Sequence, residues 1–154
     1  ILERSKKGTR VEQAEKAVKM CRKYGIRSVV HLIFGLPGET EETIKRTIRE
    51  VRRINPDYAN FYILVPYPGT EVFEDYTKKG YILSRDWSKY EAVNANFFLP
   101  GLPPEKLEKL RRRAFFSFYF SPKKLSENVK RMGASRKLLH LLVDGFKFFK
   151  GWVI

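Results

Sequence analysis

The sequence is poor in the residues that cross-link chains and hold metals. Among 154 residues there is one cysteine, Cys21, and there are two histidines, His31 and His140. A lone thiol excludes an internal disulfide, and a thiolate metal centre would need ligands from elsewhere. No run of about 18 apolar residues offers a membrane span, and no charged-then-apolar signal segment opens the sequence. Acid is scarce as well: 17 Asp and Glu face 31 Lys and Arg, a formal charge of +14. That surplus suits a nucleic acid, an anionic membrane surface or an acidic partner, and equally the ion-rich surface of a thermophilic protein. With 43% hydrophobic and 14% aromatic residues the chain is no disordered tail, and its length suffices for one domain with a sizeable core. The expectation is a soluble, cytoplasmic protein.

What is present alternates between two periodicities. Thr9 and Glu12 have capping-box spacing, and Val11, Ala14, Ala17, Val18, Cys21 and Tyr24 recur at helical spacing before Gly25, which predicts a helix over 10–24. Ser28 to Phe34 (SVVHLIF) is continuously apolar around one histidine, as in strands buried on both faces of a parallel sheet. Thr40 can cap a second helix with Ile44, Ile48, Val51 and Ile54 inward, ended by Asn55-Pro56-Asp57. Ala59 to Val65 (ANFYILV) predicts a second strand. Strand, helix and strand together have the length of one right-handed βαβ unit.

Pro66-Tyr67-Pro68-Gly69-Thr70 then turns into a short helix closed by Gly80, and residues 81–103 lack clear periodicity. Pro104 starts a helix to about Phe120, Ser121-Pro122 a fourth ended by Gly133, and Ser135 a fifth. Two parallel strands cannot cover their own faces and edges. The pattern therefore predicts an α/β fragment that belongs to a longer protein.

The turn GLPGETEE, after the first strand, raises the functional question. It has neither Walker spacing nor G-x-G-x-x-G, and Glu39, Glu41 and Glu42 would repel a phosphate from a helix end whose dipole they already complement. Two readings remain: a strand-to-helix connection stiffened by Pro37, or a ligand wall, since the carboxyl ends of parallel strands bind ligands in α/β proteins. The turn at Pro66–Thr70 leaves the second strand at the same end. Both turns offer backbone and apolar surface rather than charged groups, which suits a flat, uncharged ring such as adenine.

IFGLPGETEET, then PDYANFYILVPYPGT, FEDYTKKGYI and DWSKY, closely resemble the later part of radical S-adenosylmethionine (SAM) enzymes. Within that superfamily the likeness is to the cobalamin-binding class that includes the anaerobic magnesium-protoporphyrin ester cyclases. ILERSKKGT resembles the segment after that family's fourth barrel strand, and LEKLRRRAFFSFYFSP its C-terminal helix, with Ser121 where the family usually has arginine. The resemblance covers roughly residues 1 to 130. It implies an incomplete fragment of a partial (β/α)6 TIM-like barrel: residues 1–82 the later part of the half-barrel, 83–103 an irregular connection, and 104–154 a basic helical C-terminal region.

By similarity, Ile33, Phe34, Gly35, Pro37 and Glu39 would lie beside the adenosyl group, and Leu64, Val65, Pro66 and Tyr67 would pack on its adenine. His31 stands at the first glycine of the family's glycine, any, isoleucine, any, glycine motif. The resemblance also implies S-adenosylmethionine and a 4Fe–4S cluster in the parent, with cobalamin as a further cofactor. Reduction of the sulfonium by the cluster releases methionine and a 5′-deoxyadenosyl radical. The C-x3-C-x2-C loop that holds the cluster is absent here, so these residues alone imply no catalytic group, no metal ligand and no radical chemistry. The parent would be the enzyme, acting on an unidentified small molecule, and the partner of this chain would be the N-terminal half of the same protein.

The remaining candidates have plainer readings. Cys21 is expected to be a small buried hydrophobe, His31 a hydrogen-bonded interior residue, and Asp86 and Glu91 surface charges. Residues 104–154 carry 13 Lys or Arg against 4 Asp or Glu. In that helix Leu107, Leu110, Ala114 and Phe118 form a core face and Arg111, Arg112 and Arg113 are expected to point away. Residues 136–154 read as an amphipathic stretch that could dock on the parent or lie on anionic lipid. A second reading takes the whole chain as a stand-alone basic module for RNA or a membrane surface.

Overall fold

A computed structural model gives the fold; it describes residues 1–132, with only the backbone of Arg131 and Met132. The helix expected from Ser135 and the amphipathic stretch 136–154, with its lipid contact, lie outside the described residues. The order is α1 (Val11–Lys23), β1 (Val29–Phe34), α2 (Glu41–Ile54), β2 (Tyr58–Ile63), α3 (Glu71–Lys78), a 3-10 turn (Trp87–Lys89), α4 (Pro104–Tyr119) and α5 (Pro122–Met132). None of the helices among these residues is long and apolar enough to cross a membrane. Ile1–Phe115 forms one compact unit and a second begins at Phe116.

In the first unit β1 and β2 pair in parallel, from Val29 opposite Tyr58 to Phe34 opposite Ile63. Their starts are joined by Asp57, whose Oδ2 accepts from the Ser28 N–H (2.9 Å) and hydroxyl (3.0 Å). Helix α2 crosses between them. Thr40 caps it, its hydroxyl accepting from the Thr43 N–H at 3.3 Å while Thr43 Oγ1 accepts from the Thr40 N–H at 2.9 Å. Asn55 ends it in the left-handed region at φ 53, a conformation asparagine tolerates. Ile44, Ile48 and Val51 are buried, as are Phe34, Ala59, Phe61 and Ile63. Alternation puts those strand residues on one side of the sheet, so this is the core face.

The opposite face corrects the expectation of a strand buried on both sides. Val29, His31 and Ile33 of β1 are exposed, and the register sets them beside Tyr58, Asn60 and Tyr62. His31 is accordingly not interior. Its ring stacks on Tyr62 at 5.9 Å between centroids, and its Nδ1 lies 3.5 Å from Asn60 Nδ2. An apolar run says that a strand can be buried twice, but burial needs a second covering layer, and the described residues supply one.

Helix α1 is similarly under-covered. Only Val18 of its apolar stripe is buried, and Cys21 is half-buried rather than enclosed. A groove of about 1040 Å³ runs along α1, the free edge of β1 and α2, lined by Val11, Ala14, Ala17, Val18, Cys21 and Val30 among others. The cap also starts one residue late: Gln13 Oε1 accepts from the Arg10 N–H at 2.7 Å, in place of a Thr9–Glu12 pair.

Residues 81–103 are ordered by isolated bridges, Ile82 to Phe97 and Leu99 to Leu102, and α4 is tied to α2 by Lys106 and Glu41 at 2.6 Å. Leu107, Leu110 and Ala114 are buried as expected. Arg111, expected with Arg112 and Arg113 to point away, is buried too, because the helix phase turns it inward. In the second unit Ser121 precedes α5, its hydroxyl accepting from the Lys124 N–H at 3.3 Å. That cap explains what serine does where the family's arginine is expected. Phe118 is buried under the Lys124 ammonium, 5.0 Å from its ring centroid, whereas Phe116 and Phe120 are exposed.

Ile44 is fully buried, so Ile44→Ala should lower unfolding free energy by about 2–5 kcal/mol; urea denaturation checks this, and a loss below about 1 kcal/mol would show that α2 does not anchor the core.

Candidate functional site

The two turns singled out by sequence leave the sheet side by side. The last rung is a hydrogen bond from the Leu64 N–H to the Phe34 carbonyl at 2.8 Å, so Gly35 and Val65 begin adjacent exits. Gly35 has φ 88, and a Cβ there would sit 2.5 Å from Phe97 Cζ and 3.1 Å from Leu107 Cδ2. Glycine is required for both reasons. Gly38 has φ 78, and a Cβ on it would run into the Arg4 guanidinium.

The Gly35 peptides are held from both directions. Glu39 turns inward, and its Oε2 accepts from the Gly35 N–H at 2.5 Å and the Leu36 N–H at 3.2 Å. The buried Tyr76 hydroxyl, from α3, donates to the Gly35 carbonyl at 2.9 Å. Burial raises the Glu39 carboxyl from its ordinary 4.5 to about 7, with the two N–H donors opposing the shift. Burial also pushes the Tyr76 phenol up, and the nearby Asp75 and Glu39 charges add to this. Sequence singled out Glu39 but not Tyr76, because the phenol reaches Gly35 across 41 positions in the chain.

The candidate residues separate into two groups. Ile33 is 43% exposed on the open sheet face, whereas Phe34 is fully buried against the core side, 6.2 Å from the Phe61 ring. Phe34 therefore has its backbone, and not its side chain, open to anything bound at the strand ends. Gly35 and Glu39 are buried, Pro37, Leu64 and Val65 half-buried, and Pro66 fully buried. Tyr67 is 52% exposed and its ring meets Tyr90 at 6.2 Å, which in turn meets Trp87 at 5.0 Å. That aromatic extension was missed, since DWSKY was read for its charges. Those charges are locally engaged: Asp86 accepts from the Ser88 N–H at 3.0 Å and Glu91 from Asn94 Nδ2 at 2.9 Å.

Known proteins are similar to this chain in sequence. Residues 1–51 match the model of the Radical SAM superfamily. Those residues are radical SAM-like sequence. An uncharacterized methyltransferase of Pyrococcus horikoshii is 36% identical over 129 residues, covering 84% of this chain and 28% of that protein. The anaerobic magnesium-protoporphyrin IX monomethyl ester cyclase of Rubrivivax gelatinosus is 31% identical over 103 residues, 67% of this chain and 17% of the cyclase. The bacteriochlorophyllide d C-8(2)-methyltransferase of Chlorobaculum tepidum is 32% identical over 83 residues, 54% and 18%. The chain thus spans less than a third of the length of each of these three relatives. The class recognised from GLPGETEE and VPYPG is the one these relatives represent. The superfamily implies a TIM-like barrel; the described residues form a two-strand parallel sheet with five helices.

Because its folded pKa is raised, Glu39 holds its proton in the native chain at pH values where the unfolded chain has lost it. Its contribution therefore falls as pH rises from about 4.5 to about 7, by at most about 3 kcal/mol. Glu15 and Glu41, lowered to about 2 by Arg53 with Lys19 and by Lys106 with Lys45 respectively, act only in acid, so they leave this window clear. Glu39→Gln, which keeps an acceptor for Gly35, should flatten the stability profile between pH 5 and 7. An unchanged slope in the variant, read by denaturation at each pH, would remove the assignment.

Proposed function

We propose that this chain forms the adenosyl-binding wall of a radical SAM oxidoreductase or methyltransferase. The observation that carries this reading is the last rung of the sheet, Leu64 N–H to the Phe34 carbonyl. It makes the GLPGE and VPYPG exits neighbours at the carboxyl end of a parallel pair, where α/β folds bind ligands. Gly35, Pro37 and Ile33 would flank the adenosyl group, the first two through backbone and small apolar surface. Leu64, Val65 and the buried Pro66 ring would back the adenine, with Tyr67 at the rim. Glu39 and Tyr76 would not touch the ligand; they hold the Gly35 peptides against it.

S-adenosylmethionine suits such a wall, because adenine binding needs apolar contact and backbone hydrogen bonds rather than counter-charge. The 4Fe–4S cluster does not suit this chain. It takes three thiolates, the sequence has one cysteine, and among the described residues no group of three His, Cys, Asp or Glu is arranged for a metal. The cluster would be held by the rest of a longer protein, with cobalamin as a further cofactor and a small molecule as substrate, in the cytoplasm. The groove along α1 and the free edge of β1 would receive that protein's preceding strand.

The test uses the full-length, iron-reconstituted gene product. With labelled S-adenosylmethionine and a reductant it should release 5′-deoxyadenosine or transfer the methyl group, and Gly35→Val and Val65→Asp should each reduce turnover at least about a hundredfold, as displaced positioning groups do. Turnover that survives both substitutions would refute the wall, and absence of both products would refute the enzyme.

A further inference from the structure

The segment 81–91 leaves outside two side chains that a folded chain usually takes in. Trp87 is 64% exposed and Leu83 56%. Neither sits on a slack loop. The Leu83 N–H donates to the Asn96 carbonyl at 2.8 Å, and Ile82 bridges to Phe97. Asp86 caps the 3-10 turn that carries Trp87, accepting from the Ser88 N–H at 3.0 Å and hydroxyl at 2.8 Å. Hydrogen bonds thus hold both side chains out, at a cost in unburied apolar area.

Single exposed apolar side chains are ordinary, but these are joined into one patch with two cations. Leu83 and Arg85 line the same cleft of about 290 Å³, with Thr77, Gly80, Ile82 and Ser84. The Tyr90 hydroxyl donates to the Ser84 carbonyl at 3.4 Å, and the Tyr90 ring meets both Trp87 and Tyr67. Arg85 and Lys89 flank Trp87 in the chain, are exposed, and enter no ion pair among the described residues. The acids of the segment are engaged, Glu91 by Asn94 and Asp86 by Ser88 and, more weakly, by the Lys89 charge.

We propose that Leu83 and Trp87, with Arg85 and Lys89, seat this chain on an anionic bilayer surface. Tryptophan and tyrosine favour headgroup depth, where an apolar ring and a polar edge are both satisfied. Leucine reaches the acyl boundary, and the two cations face lipid phosphates. The formal charge of +14 draws the whole chain to such a surface. A covering protein layer is a poorer occupant, because the core of a protein contact is depleted in charge and here two cations lie within two positions of Trp87. RNA is poorer too. It is held by rings that stack on bases, and an exposed leucine has no stacking face.

Fluorescence of the 154-residue chain tests this, with Trp152→Phe leaving Trp87 as its one tryptophan. Vesicles of phosphatidylglycerol in phosphatidylcholine should shift Trp87 emission to the blue, and brominated acyl chains should quench it. Phosphatidylcholine alone should do neither. Leu83→Ser should weaken the apparent affinity about tenfold, and Arg85→Gln with Lys89→Gln roughly thirtyfold. Lys16→Gln with Arg52→Gln, which removes the same charge from exposed positions elsewhere, should cost less than about threefold. The full-length gene product should float with the same vesicles and be released by Leu83→Ser with Trp87→Ser; circular dichroism checks that the variants fold. Vesicle binding that leaves Trp87 emission unmoved, equal losses from the two charge pairs, or a full-length protein that ignores the vesicles overturns the proposal. So does an oligouridylate that moves Trp87 emission where vesicles do not, which would make the partner a nucleic acid.

Discussion

The site depends on one buried carboxylate. Glu39 reaches back over its own turn to take the N–H groups of Gly35 and Leu36, and Tyr76 takes the carbonyl on the other side of Gly35. Without them the strand exit would leave buried backbone groups unpaired. With them, Gly35 is fixed where only a hydrogen fits between Phe97 and Leu107. The turn, α3, the bridge segment and α4 are thereby coupled at one backbone position. The same carboxylate accounts for one acid of this acid-rich turn, since Glu39 takes the turn's own amides, and Glu41 pairs with Lys106 and Lys45.

The sheet is finished on one face and open on the other. Phe34, Ala59, Phe61 and Ile63 are buried on one face, while His31, Ile33 and Tyr58 on the other remain exposed. The α1 groove repeats that asymmetry, with an apolar stripe of which only Val18 is buried. Both features fit a chain that spans less than a third of three of its curated relatives.

Much of this was legible in the sequence. The βαβ order, the Thr40 cap, the stop at Asn55 and the buried row Ile44, Ile48, Val51 all follow from local periodicity and capping chemistry, which act over a few residues. Order and spacing of the GLPGETEE and VPYPG turns also sufficed to recognise the superfamily. What misled was burial. SVVHLIF has the composition of a doubly covered strand, and Cys21 lies on an apolar stripe, yet composition reports what burial a segment tolerates and not whether a layer arrives to supply it. Arg111 misled in the opposite sense, since a run of three arginines looks solvated and the helix phase turns one of them inward.

By itself the sequence determined the elements, their order, the glycine positions and the family, because each is written in short-range pattern. Only the tertiary structure decided which side of each strand is covered, that Tyr76 meets Gly35 from 41 residues away, and that Arg111 is buried. Those outcomes depend on which distant surfaces meet. Contact between residues far apart in the chain is set by packing of whole elements, and no window of local sequence contains it.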